Sequence, residues 1–298
     1  MKKTILTLSL ILSIGFAFAQ DTEKENLKKN EAAASRKMDD IPNGWIKKGN
    51  ISFLFNQSAF NDKWLGGGTS NMAGNFGLNY DFNYKKDKVV WDNKFILAYG
   101  LTKIKNQPRN TKTDDRLELN SLWGRKASGN WYYSIFGNFK TQMDSGFNTA
   151  HTTRLSHFFS PAYLQFGPGM LYKPSENFSV NIAPATSRFI FVDGQFTTLG
   201  SSFGVKQGDT SRFEFGASVS AYYKFNVMAN VSVENRLNLY SNYLDKPQNV
   251  DVDYQMNLVM KVNKYISANV SLQAIYDDNA VTAVQVRELF GIGLNYGF

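Results

Sequence analysis

Cysteine is absent from this chain of 298 residues, and histidine occurs only twice. The lack of thiols excludes disulfide bonds, cysteine–metal centres and thiol catalysis. A small exported domain usually depends on disulfides, so this chain must be stabilised by burial of side chains or by closure of a sheet.

Long hydrophobic runs are also missing after the N-terminus. No later stretch approaches the ~20 apolar residues of a membrane-spanning helix, and the mean hydropathy is −0.34. A transmembrane β-strand needs no such run, because only every second residue faces lipid. Aromatic residues make up 15% of the chain, which suits the aromatic girdles of a membrane barrel.

The first nineteen residues have the features of a secretory signal. Lys2 and Lys3 form a basic start, an apolar run follows from Thr4, and Ala17-Phe18-Ala19 is an A-x-A cleavage pattern. An uncleaved anchor is the alternative, but the apolar run is short for a spanning helix. We therefore predict export, with cleavage after Ala19.

The mature chain is predicted to have two parts. Residues 20–44 are polar and strongly charged and lack an apolar stripe, so we expect a flexible periplasmic tail. Residues 45–298 alternate between apolar and polar side chains and are predicted to form the folded domain.

The last strand shows this alternation most clearly. Phe290, Ile292, Leu294, Tyr296 and Phe298 share one face, and small or polar residues share the other. We interpret these faces as lipid-facing and water-facing sides of a closed barrel. The terminal Phe298 resembles the C-terminal signal that the outer-membrane assembly machinery recognises, so that machinery is an expected partner.

Twelve such strands are predicted, with a range of ten to fourteen. They cover residues 49–58, 69–84, 89–102, 114–126, 131–142, 161–173, 177–184, 211–225, 231–244, 251–262, 266–277 and 287–298. Most exceed the ~5–6 residues of soluble β-sandwich strands and match the ~9–11 that cross a bilayer. The predicted fold is an all-β, transmembrane, antiparallel up-and-down barrel.

Short and long connections alternate along the chain, as in outer-membrane barrels. The longer ones, 59–68, 103–113, 143–160, 185–210, 245–250 and 278–286, would face the cell exterior, with both termini on the periplasmic side. The seventh strand is the weakest prediction, because Pro184 interrupts it.

Charged residues recur on the predicted water-facing side of the strands. Residues two apart on a strand point the same way, so opposite charges on neighbouring strands can meet. They could form a constriction that selects solutes, or a salt-bridge network that fills a narrow barrel. The candidates are Asp92, Lys94, Arg116, Glu118, Arg212, Glu214, Glu234, Arg236, Asp253, Lys261 and Glu288.

Other chemistry has little support, and we predict no catalytic, cofactor or metal residues. His151 and His157 lie in one predicted loop, and Ser156 beside His157 should point away from it. The glycines 66–68 beside Trp64 lack the lysine of a phosphate-binding loop. Acidic residues such as Asp114, Asp144, Asp193 and Asp277 fit no metal-loop spacing.

Nucleic-acid binding is not expected either. The formal charge of +8 is spread along the chain rather than clustered on one basic face. We interpret it as contact with anionic headgroups, with outer-membrane lipid as a partner.

Several segments together resemble an uncharacterised outer-membrane-type β-barrel family of Bacteroidetes-type bacteria, a domain of unknown function. The segments are Trp45–Phe53, Asn56–Gly68, Lys112–Asn120 and Ser241–Asp251. The resemblance implies an outer-membrane location and a barrel fold. It implies no established activity and no catalytic residues.

The expected function is therefore that of an outer-membrane barrel rather than an enzyme. A structural or accessory role, with the loops at 143–160 and 185–210 as a protein-binding surface, is the first hypothesis. A passive channel for small hydrophilic solutes is the second. An outer-membrane enzyme is a remote third. An open water path would favour transport, and a lumen closed by paired charges would favour the first.

Overall fold

The computed structural model describes residues 37–60, 69–107, 109–148 and 150–298. The predicted signal peptide, residues 20–36 of the predicted tail, and the segment with Trp64 and glycines 66–68 lie outside the described residues. Within the described part, no helix is both long enough and apolar enough to cross a membrane.

Fourteen strands occur in the described chain, and twelve of them form the barrel. Their bounds are β1 Gly44–Ser58, β2 Asn71–Lys86, β3 Val89–Ile104, β4 Thr111–Ser128, β5 Trp131–Thr141, β6 Gly146–Phe147, β7 Arg154–Ser156, β8 Ala162–Ser175, β9 Phe178–Phe191, β10 Ser211–Met228, β11 Val231–Asn242, β12 Val250–Lys261, β13 Ile266–Asp277 and β14 Val281–Gly297. The short β6 and β7 pair only with each other.

The barrel is closed and antiparallel, and chain neighbours pair throughout except where the β6–β7 hairpin intervenes. β14 returns to β1, with Asn50 opposite Gly297 and Phe55 opposite Ile292. The predicted twelve-stranded up-and-down barrel is confirmed. Closure gives each strand a partner on both sides, so the barrel has no free sheet edge of the kind that promotes aggregation.

The two ends of the barrel differ. At the terminal end lie Gly44, Phe298 and tight turns such as Asp87–Lys88 and Gly129–Asn130. At the loop end lie the described residues of the connections that follow β1, β3, β5, β9, β11 and β13; the last of these connections is 278–280. The last is shorter than predicted, because β14 begins at Val281 instead of residue 287.

Strand β9 corrects the weakest prediction. It continues through Pro184 to Phe191, although the sequence pattern predicts that it ends at residue 184. Its register shifts beside the proline, between Gly216 and Ser218 of β10 and between Phe166 and Met170 of β8. A bulge of this kind accommodates a residue that has no N–H to donate to the ladder.

The outer wall carries aromatic rings near both ends. At the terminal end, Trp45 lies 5.1 Å from Tyr84, and Trp131 lies 5.0 Å from Tyr172. At the loop end, Phe189 lies 4.9 Å from Phe213. These distances join ring centroids, and the rings form two belts of the kind that flank the lipid-facing band of membrane barrels.

The outward row of β14 sets the height of the apolar band. Phe290, Ile292, Leu294, Tyr296 and Phe298 are all exposed. The outward residue beyond Phe290 is the exposed Glu288. Ten residues at ~3.4 Å each, tilted by ~40°, place Glu288 about 26 Å from Phe298 along the barrel axis, close to the ~25 Å band of an outer-membrane barrel. Beyond Glu288, the exposed Val286 and Val284 continue the row.

Candidate functional site

The barrel lumen gathers the charged side chains that the alternating pattern predicts to face inward. Their positions are set by strand parity, because residues two apart on a strand share a face. The structure brings nine of the eleven candidates into ion pairs or hydrogen bonds inside the lumen: Asp92, Lys94, Arg116, Glu118, Arg212, Glu214, Glu234, Arg236 and Asp253.

Glu288 is a correction to the predicted set. It pairs opposite Leu272 on the outward face of β13 and β14, and it is exposed. The inward residue at this level is Arg287, which contacts Asp114 and donates to Gln273 Oε1 at 3.0 Å. Glu288 has the parity of Phe290, so the alternation along the strand predicts that it faces outward.

Lys261 has the same parity as Asp253 but lies at the last position of β12, at the terminal end. Its side chain is exposed, and it makes no ion pair within the described residues. It therefore belongs to the rim of the barrel rather than to the lumen network.

One ion pair crosses the lumen in the half nearer the terminal end. The ammonium of Lys94 on β3 lies 3.5 Å from Glu234 Oε1 on β11 and 3.3 Å from Asp81 Oδ1 on β2. β3 and β11 are six strands apart in both directions around the barrel. Arg236 also donates to Glu234 Oε1, at 2.7 Å. Side chains from diametrically opposite strands therefore meet across the width of the lumen at this level.

A second crossing lies closer to the loop end. Arg116 Nη1 on β4 donates to Gln255 Oε1 on β12 at 2.8 Å, and these strands are also six apart. Beside it, Lys140 on β5 lies 3.4 Å from Asp253 of β12. Gln273 Nε2 on β13 donates to Asp253 Oδ1 at 2.9 Å. Side chains from both halves of the wall therefore meet in the middle of the barrel.

The loop end of the lumen contains a third cluster, centred on Arg188 of β9. Its guanidinium lies 2.5 Å from Asp251, 3.2 Å from Asp277 and 3.5 Å from Glu214. The guanidinium carbon also lies 5.0 Å from the centroid of the Tyr240 ring. Arg212 pairs with Glu214 at 2.9 Å. One arginine thus neutralises carboxylates from three other strands.

Sequence reasoning missed several members of these clusters. Arg188 was placed in a loop, because β9 was predicted to end at residue 184. Asp251 has the parity of the predicted Asp253 and could have been found from that alternation. No one-dimensional pattern indicates contacts across the lumen. The missed residues are Asp81, Asp114, Lys140, Lys173, Arg188, Asp251, Asp277 and Arg287.

The terminal end of the lumen is filled by a different kind of group. Residues 37–43, predicted to belong to the flexible tail, fold into the barrel around a 3₁₀ turn at Met38–Asp40. Met38 and Ile41 are buried against the inward side chains of Val90, Tyr132 and Leu171. We call residues 37–43 the N-terminal plug.

Polar contacts hold the plug in place. Lys85 donates to the carbonyl oxygens of Asp39 and Ile41, and Lys126 donates to the Asp39 carboxylate at 2.6 Å. This hydrogen bond holds the pKa of the Asp39 carboxyl below its ordinary value. Asn43 and Asp87 exchange hydrogen bonds of 3.1 and 3.0 Å.

The two histidines lie at the loop end in separate contacts. His157 Nε2 lies 3.0 Å from Asp193 Oδ2 in the neighbouring loop, whereas Ser156 Oγ donates to Gln142 at 2.8 Å. His151 Nε2 lies 3.3 Å from Thr111 Oγ1. Ser156 and His157 therefore point to different partners, as the extended chain predicts.

Acidic residues at the loop end anchor a connection through hydrogen bonds. Asp115 accepts from the backbone N–H groups of Met143 and Asp144 at 2.8 and 2.9 Å and pairs with Lys112 at 2.6 Å. The Tyr99 hydroxyl donates to Asp144 at 2.7 Å, and this bond lowers the pKa of the Asp144 carboxyl. These contacts fix the start of the β6–β7 connection against β3 and β4.

Comparison with known proteins gives a family match over part of the chain. Residues 55–147 match the model of a protein family of unknown function, DUF3078. The match agrees with the predicted resemblance to a family of unknown function, and the Bacteroidetes-type origin stays a prediction. No curated protein is significantly similar to the sequence.

Solved structures with a similar architecture are outer-membrane barrels. An outer membrane channel of Pseudomonas putida is 13% identical, with 86% of this chain and 96% of that chain covered and a TM-score of 0.39. The translocator domain of the autotransporter NalP of Neisseria meningitidis is 9% identical, with 95% and 98% covered and a TM-score of 0.32. The outer membrane channel DcaP of Acinetobacter baumannii is 10% identical, with 86% and 96% covered and a TM-score of 0.30. Similarity at this level carries no argument about what the chain does.

Proposed function

We propose that the protein is an outer-membrane β-barrel with a closed lumen, and that its role is structural or accessory, with its loop end as a binding surface. The observation that carries this proposal is the pair of contacts across the full width of the lumen, Lys94–Glu234 and Arg116–Gln255. Each joins diametrically opposite strands, so a solute entering from either end meets a barrier of paired side chains.

The outer wall supports the membrane location. The exposed apolar rows are bounded by aromatic belts near both ends, and the height of the band on β14 fits the hydrocarbon region of an outer membrane. In water, a band of this size would be an unusually large exposed apolar surface. Export with a signal peptide cleaved after Ala19 belongs to the same proposal.

Two of the loops form one joined surface at the loop end. His157 in the 142–161 connection meets Asp193 in the 192–210 connection, and Arg154 donates to Gln195. Leu199 is 96% exposed, and Leu155 and Phe158 are also exposed. Apolar side chains held on a fixed polar base favour contact with a protein partner over simple solvation.

The decisive experiment is electrical. The purified full chain in planar bilayers and in liposome swelling assays should show no steady conductance and no sugar uptake, beside an open general porin that shows both. Stable channel openings or swelling comparable to the porin would contradict a closed lumen.

One observation supports the second candidate, a narrow path for small hydrophilic solutes. Within the described residues, the buried Arg116 Nε, Glu118 Oε2 and Asn269 Oδ1 have no hydrogen-bond partner. Buried polar atoms are nearly always satisfied by protein or by water, so a thin column of water would explain them. Small, ion-selective conductance that changes on removal of Arg116 or Arg236 would favour this candidate over a sealed barrel.

A further inference from the structure

We infer that the N-terminal plug is a separate, releasable seal of the terminal end. It closes the barrel on the terminal side of the charged contacts. It can dissociate from the lumen without any change in strand pairing. The inference does not rest on the proposed binding surface at the loop end.

The seal is made by apolar packing inside the lumen. Met38 is 4% exposed and Ile41 is 7% exposed, and they contact inward side chains of β3, β5 and β8. Ile46 and Leu122 extend the same cluster onto β1 and β4. On this side of the lumen, water that enters from the terminal end therefore meets a hydrophobic layer before it reaches Lys94.

The attachment is weak compared with the barrel wall. Only two buried side chains anchor a segment of seven residues, and ordering each residue costs conformational entropy. Among the polar contacts, only Lys85 is buried, where it donates to the Asp39 and Ile41 carbonyl oxygens. The Asp39 side chain is 71% exposed in its pair with Lys126. Exposed ion pairs are screened by water and salt and contribute little. Elements with few buried contacts are the first to open locally.

The structure also leaves space into which the plug can move. Lys37 forms a single bridge to Ser175 at the end of β8, and the plug supplies no strand to the barrel. Beside it, a groove of about 590 Å³ opens to solvent between Asp39, Lys126 and Pro174. Movement of residues 37–43 into this space breaks one bridge and a few side-chain bonds, and every barrel strand keeps both neighbours.

Engineered thiols can test the inference, because the chain has no native cysteine. Val90 lies under the plug and is 2% exposed, and Ile190 is 2% exposed at the loop end, away from it. A Val90→Cys thiol and an Ile190→Cys thiol, each in the full chain, are labelled with a membrane-impermeant maleimide. Leu199→Cys, at a fully accessible loop position, measures the intrinsic rate.

The plug is then weakened by Met38→Glu with Ile41→Glu, which puts two charges into the apolar cluster. We expect the Val90→Cys thiol to react at least about tenfold faster in this background, as for a site exposed by local opening. The Ile190→Cys thiol should stay unreactive. Equal rates at Val90→Cys with and without the plug substitutions would overturn the inference, as would full reactivity of this thiol under the native plug.

A milder change guards against misfolding of the double variant. Asp39→Asn with Lys85→Met keeps both apolar anchors and the Asn43–Asp87 hydrogen bonds. It removes the Lys85 hydrogen bonds and the charge that pairs with Lys126. A smaller acceleration in the same direction is expected. The unchanged mobility of the unheated barrel on gels confirms assembly. Conductance of the plug variants should stay at zero, because the contacts across the lumen remain. Failure of this inference and failure of the closed-lumen proposal are therefore distinguishable.

Discussion

The two ends of the lumen carry opposite chemistry. At the loop end, Arg188 gathers carboxylates from three strands, whereas at the terminal end Met38 and Ile41 pack into an apolar cluster. The loop-end cluster is built from the barrel wall itself, and the terminal cluster includes a segment that precedes the first strand. Strand parity therefore fixes the positions of the charges on the wall, whereas the position of the plug depends on how a short segment packs inside the finished barrel.

The largest effect on stability should come from the Arg188 cluster at the loop end. Arg188→Leu leaves Glu214, Asp251 and Asp277 without their shared counter-charge, and breaking a buried ion pair typically costs ~3–5 kcal/mol. Urea unfolding in detergent micelles should show this loss. The exposed Arg154 is the matched control, and Arg154→Leu should change stability little. Equal stability of both variants would mean that the lumen carboxylates are solvated and that the contrast between the ends is smaller than described.

The next effect concerns the contacts between opposite walls. Lys94→Met with Arg116→Met, made in the Met38→Glu and Ile41→Glu background in which the N-terminal plug is released, removes both crossings and leaves Glu234, Asp81 and Glu118 in the lumen. We expect small cation-selective currents in planar bilayers where the parent shows none, because carboxylates would then dominate the path.

The control for the conductance variant is Lys48→Met in the same background, which removes an exposed ion pair with Glu176 at the terminal end. This variant should show no current across the bilayer. If the variant without both crossings also shows no current although it is correctly assembled, other side chains close the barrel.

A smaller effect is expected at the seam that joins the first and last strands. Phe298 and Gly49 exchange backbone hydrogen bonds of 3.0 and 2.7 Å, and the Phe298 ring stacks on Tyr80 at 6.0 Å. Phe298→Ala should lower the fraction of assembled barrel in cells several-fold, measured by heat-modifiable mobility. Tyr296→Ala, a neighbouring aromatic in the same row, should reduce it less. The same yield for both would exclude a special role of the last residue in assembly.

The smallest effect concerns the anchor of the β6–β7 connection. The Tyr99 bond holds the pKa of Asp144 below its ordinary 3.8, so its stabilising contribution is present above pH 3.8 and is lost as pH falls through the lowered pKa. In Tyr99→Phe, NMR titration should show the Asp144 pKa moving up towards 3.8, with less than about 1 kcal/mol of stability lost in this solvent-screened position. An unchanged pKa would assign the shift to the Ser145 N–H.

Much of the fold follows from local alternation. The row from Phe290 to Phe298 and its polar counterpart predict the lipid and water faces, and this pattern repeated along the chain predicts twelve strands. Strand β9 shows the limit of this reasoning. Pro184 breaks the alternating pattern, and only the pairing of β9 with β8 and β10 shows that β9 has an extra residue there and continues.

The candidate site shows the same division. Parity places Lys94, Glu234, Arg116 and Asp253 in the lumen, since a side chain two positions away must share its face. That Lys94 meets Glu234 depends on barrel closure and strand number, which put β3 opposite β11.

The sequence by itself determined the class of the molecule: alternating strands long enough to cross a bilayer, without cysteine chemistry or a helical span. Tertiary structure alone decided that the lumen is crossed by side chains and that residues 37–43 enter it. The physical reason is range. Periodicity records which face a residue takes along its own strand, whereas contacts across the lumen arise only when the ring of twelve strands closes.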